Sequence, residues 1–191
     1  MTLLRIAGRF FIQSLLILGP ASVAVVAGES QAELLELQVK AAFLYNFAKF
    51  VDWPPDSGSA PITFCTFAGD PISEVLRQSL SGKTINNRPL ATRQFPAPKD
   101  AQNCQVVFIS GYSKKQLAGA VASLPGGGTL TIGDSDQFVV SGGMIQLMKG
   151  SNKFRFAINV DAVNRNGLRI SSKLLQLAEV IRESGEPGKN P

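Results

Sequence analysis

Side chains able to do chemistry are few in this 191-residue chain, and what is missing narrows the function first. It has no histidine, so neither a Ser-His-Asp nor a Cys-His pair can form, and no ordinary zinc site can be completed. No G-x-S-x-G elbow, S-x-x-K or G-x-x-x-x-G-K-[ST] run occurs. Gly126-Gly127-Gly128 lacks the lysine and spacing of a phosphate loop and reads as a helix-to-strand turn. Asp134-Ser135-Asp136 begins like a calcium loop, but Val139 occupies the glycine position and Ile145 the bidentate-glutamate position. Lysines and arginines are scattered, which argues against a nucleic-acid surface. The reading is a binding protein rather than an enzyme, with no metal and no cofactor.

Two groupings remain. Cys65 and Cys104 are the only cysteines, the minimum for one bridge; two separate buried thiols are the alternative. Arg169 follows Gly167-Leu168 and precedes Ser171-Ser172, where a helix start is expected, so a guanidinium and free helix N–H groups could meet. Asn159, on the expected wetter face of its strand, could add an amide. Together Arg169, Ser171, Ser172 and Asn159 would make a shallow pocket for an anion, either a small ligand or a partner's acidic side chain. In the plainer alternative, Arg169 pairs with an acid and the serines only cap the helix.

The elements that must hold these groups follow from periodicity. From Leu37 to Pro54, Leu37, Ala41, Leu44, Ala48 and Val51 recur at helical steps, with Val39, Phe43, Phe47 and Phe50 as a second stripe. So wide an apolar arc predicts a central packing helix, started by the capping box Ser30-Gln31-Ala32-Glu33 and ended by Trp53-Pro54-Pro55. Glu36 and Lys40 are spaced to pair on it. Ile62–Phe67, Val106–Ile109 and Thr129–Ile132 read as strands, and Pro89–Phe95 as a short edge strand. Asp70-Pro71 and Ser113 open the two helices between them. Met144–Met148 and Phe154–Val160 predict a hairpin, with Arg155, Ala157 and Asn159 on its wetter face. A last helix from Ser171 or Ser172 would bury Leu174, Leu175, Leu177, Ala178 and Ile181. The expected fold class is α/β: a single three-layer domain with a mostly parallel open sheet, a C-terminal antiparallel hairpin and helices on both faces.

Residues 1–27 read as a secretory signal peptide. Arg5 and Arg9 precede an apolar run broken at Gly19-Pro20, with cleavage after Ala27 or Ala24. The formal charge of +5 falls by two when those arginines leave. Residues 28–183 form the expected domain and residues 184–191 a polar, disordered tail. Export would place the cysteines where bridges persist.

Several stretches resemble the YfiR family, also described as the domain of unknown function 4154. They are FLYNFAKFVDWP, ITFCTFAGDP, the Gly82-to-Pro89 stretch, CQVVFIS, LTIGDSDQFVVSGGMIQL, FRFAINVDAV and GLRISSKLLQLA. The resemblance runs in order over about residues 39–178. It implies a periplasmic protein that binds and inhibits the sensing domain of an inner-membrane diguanylate cyclase, controlling cyclic di-GMP and biofilm formation. It further implies sequestration by an outer-membrane peptidoglycan-binding lipoprotein, a homodimer, and a bridged pair at Cys65 and Cys104. A second cysteine pair found in some relatives is absent near Ser141–Met148, and Ser171 stands where some carry a histidine. The alternative is a periplasmic small-molecule receptor reporting to another membrane sensor, such as a histidine kinase.

Overall fold

The computed structural model describes residues 23–53, 60–151 and 153–183. Most of the expected leader, the loop at 54–59 and the expected tail at 184–191 lie outside these residues. Helix α1 (Val23–Lys49) is followed by the short strand β1 (Val51–Asp52), β2 (Ile62–Phe67) and α2 (Ile72–Leu80). Next come β3 (Thr84–Ile85), β4 (Arg88–Phe95), β5 (Val106–Ile109), α3 (Lys114–Ala122) and β6 (Leu130–Gly133). The chain closes with β7 (Ile145–Lys149), β8 (Phe154–Asn159), α4 (Val160–Arg165), β9 (Arg169–Ile170), α5 (Ser172–Leu175) and β10 (Glu179–Ile181).

The main sheet has eight strands in the order β10-β8-β7-β6-β5-β2-β4-β3. β4, β2, β5, β6 and β7 are parallel neighbours, while β7 and β8 form the antiparallel hairpin. Successive side chains of a strand point to opposite faces, and the core divides accordingly. Phe64, Val106, Phe108, Leu130 and Ile132 join Ala41, Leu44, Phe47 and Leu76 of α1 and α2 in one cluster. Cys65, Val107 and Ile109 join Leu117 of α3 and Phe138 in the other. The α/β class and its three layers are therefore as the sequence predicts.

Five local expectations need correction. α1 begins at Val23 rather than at Ser30-Glu33. A serine caps only where the backbone before it leaves helical angles, and no proline interrupts the run from Ala21 to Trp53. At its other end α1 stops at Lys49, because Val51 and Asp52 pair antiparallel with Ile170 and Arg169. β4 is a full eight-residue strand along β2, and the Asn86-Asn87 turn, with φ of 50° and 63°, folds β3 back onto its first residues.

The last helix is only Ser172–Leu175. Glu179–Ile181 instead extends the sheet beside β8, where two β-branched residues find an open ladder, while Leu177 is left 75% exposed. Asn159 is not on a wet face either, being 1% exposed. Residues 134–143 fold across that end of β8, and Val139 O accepts from Asn159 Nδ2 at 2.9 Å.

Candidate functional site

In an open parallel sheet, ligands bind outside the carboxyl ends of the strands, at the point where strand order reverses. Here the chain lays down β2, crosses to β4 on one side, then returns past β2 to β5 and β6 on the other. The reversal lies between β2 and β5. A cleft of about 470 Å³ opens there, walled on one side by α1 and including the start of α2.

Each polar group in the cleft is delivered by an element end. Asp70 follows β2, and its Oδ1 accepts from the Ile72 backbone N–H at 3.0 Å, which caps α2 as Asp-Pro predicts. Ser110 follows β5, and its hydroxyl donates to Asp70 Oδ2. Asp134 follows β6 and accepts from Lys40 Nζ at 2.8 Å. Lys40 reaches back along α1 to Glu36 at 3.0 Å, and Lys149, at the end of β7, also donates to Glu36. Phe108, Ile72 and Leu37 supply the apolar lining.

The electrostatics follow from this packing. Hydrogen bonds from Lys149 and Lys40 hold the Glu36 carboxyl below its ordinary range. Burial alone would push the Lys40 ammonium down, but bonds to Asp134 and Glu36 outweigh it and leave its pKa raised. Both groups are therefore charged at neutral pH. Among the described residues no group of three or more candidate ligands is placed to hold a metal ion.

The groups singled out from sequence are dispersed. Cys65 and Cys104 are joined, with Cα atoms 5.9 Å apart, inside the α3-side core. Arg169 is exposed on β9, opposite Asp52 in register. Ser171 accepts from the Lys173 backbone N–H at 3.3 Å and so caps α5, whose first residue is Ser172. Asn159 caps α4 by accepting from Ala162 N–H at 2.9 Å, and its amide nitrogen donates to Val139 O and to Glu183. Its amide is thus committed to bonds within the chain.

Asp70, Ser110, Asp134 and Lys149 were not recognised from sequence as one site. The available signal was positional: each polar residue stands at or within three positions of the end of an apolar strand.

The chain is similar to a known family over most of its length. The profile of the YfiR/HmsC-like family, domain of unknown function 4154, matches residues 37–179. Among solved structures, it is similar to a conserved domain protein from Vibrio cholerae, with 11% identity and a TM-score of 0.48. That match covers 75% of this chain and 59% of the other.

Proposed function

This chain belongs to the YfiR/HmsC-like family, and on that premise we propose that it binds the sensing domain of an inner-membrane diguanylate cyclase and holds the enzyme inactive. The family is linked to periplasmic regulation of such cyclases and is regulatory rather than catalytic. The observation that carries the reading is the family match across residues 37–179, which spans every element from the second half of α1 into β10. A domain with a buried bridge between its only two cysteines suits an oxidising compartment.

In this reading the leader takes the protein to the periplasm. The protein forms a homodimer, and an outer-membrane peptidoglycan-binding lipoprotein relieves inhibition by sequestering it. Arg169, exposed on β9, is the residue we assign to partner contact. Arg169→Ala should weaken capture of the cyclase's periplasmic domain by about tenfold or more, as for a charge-assisted contact, without changing the melting temperature. Unchanged capture would remove Arg169 from the interface.

The whole reading is tested in cells. Deleting the gene should raise cyclic di-GMP and surface attachment, and deleting the partner cyclase as well should abolish the rise. Cyclic di-GMP that stays constant in the single deletion under several growth conditions would overturn it.

A further inference from the structure

We propose that the cleft at the carboxyl ends of β2, β5 and β6 binds a small aliphatic amine, with ammonium groups held by Asp70 and Asp134 and the methylenes lying along Leu37. The volume of about 470 Å³ lies within the ordinary range for small-molecule sites. Its position, at the reversal of strand order, is where such sheets take ligands.

Charge selects the class. Four carboxylates line the cleft (Glu33, Glu36, Asp70 and Asp134) against two ammonium groups, Lys40 and Lys149. Both cations are already engaged: Lys40 by Asp134 and Glu36, and Lys149 by Glu36. An entering anion would face the surplus acid, whereas an entering cation would complete it. A carboxylate offers about four acceptor positions. Asp70 uses one for Ile72 N–H and one for Ser110, and Asp134 uses one for Lys40. Acceptor capacity therefore remains on both.

Two separately anchored carboxylates favour two ammonium groups over one. Asp70 and Asp134 leave strands β2 and β6, which flank β5. Asp70 reaches over the end of β5 to Ser110, while Asp134 is held toward α1 by Lys40, so each carboxylate can take one ammonium group of a short diamine. Leu37, half-buried on the cleft's α1 wall, suits a methylene chain.

Binding is measured with purified exported protein, so failure here leaves the cyclase reading standing, and failure of that reading leaves this one. Titration calorimetry with 1,4-diaminobutane should show saturable binding at millimolar concentration or below. Asp134→Asn and Asp70→Asn should each weaken it by about tenfold or more, the loss of one charge-assisted hydrogen bond. Glu74→Gln, at an exposed acid of α2 paired with Arg77 outside the cleft, should leave it unchanged. Circular dichroism melts establish that the variants fold; should Asp70→Asn fail through loss of the α2 cap, Asp134→Asn decides. Absence of heat with the diamine, binding of glutarate or calcium in its place, or affinity unaffected by Asp134→Asn would each overturn the proposal.

Discussion

Phe138 shows how two glycines can be required without any unusual backbone angle. Its ring is fully buried, and a Cβ added at Gly133 would lie 2.4 Å from it, one at Gly143 2.2 Å. The ring fills the space that side chains at both positions would occupy. Gly143→Ala should therefore destabilise the protein by about 1–3 kcal/mol, the usual cost of overpacking, read as a lower urea midpoint. Phe138→Leu in the same background should recover part of that loss. The Gly142-Gly143-Met144-Ile145 run is visible in the sequence, but its reason is not, because the ring that needs the space belongs to the preceding turn. At Cys65 the pairing is intrinsic to the core. Cys65→Ser should lower stability by about 2–4 kcal/mol, and thiol titration should then find one free sulfhydryl where the parent has none.

Among the elements, α1 is tied to both the sheet and the hairpin by charge as well as by packing. Glu36 receives Lys40 from its own helix and Lys149 from β7. Its carboxyl is held below the ordinary value of 4.5 in the folded chain. Stability from this tie is complete above pH 4.5 and declines as the pH falls through the lower folded value, since the unfolded chain takes up the proton first. Glu36→Gln should thus cost up to about 1 kcal/mol near neutrality, the range for partly solvated pairs. The difference from the parent should shrink in acid, as followed by urea unfolding across pH. A gap that widens on acidification would exclude the tie. The same helix teaches a limit of periodicity. Leu44, Phe47 and Ala48 are buried as their spacing requires, yet the capping box at Ser30 gives no indication that helix already precedes it. At the other terminus, spacing at Leu174, Ala178 and Ile181 suggests one helix. An open edge on β8 converts the last three-residue stretch to strand, a tertiary effect with no local mark.

For the molecule as a whole, the layer architecture is legible because helical and strand periods alternate along the chain. The cleft is not, because its contacts join residues far apart: 40 positions for Asp70 and Ser110, 94 for Lys40 and Asp134, and 113 for Glu36 and Lys149. Only strand order brings them together. The early start of α1 has a further consequence for the processed chain. If the leader is cut after Ala27, a new ammonium appears at the start of a helix whose dipole is already positive there. Those first turns should fray until a side chain can close the end. Ser30 and Glu33 stand at the spacing to do so, as N-cap and as the third helical residue whose carboxylate accepts from the N-cap N–H. Hydrogen exchange on the mature protein should find fast amides up to about Ser30 and protected ones from the turn of Glu36 onward. Maturation would then trim the helix back to the turn that begins the cleft wall, and the motif idle in the precursor would become its working end.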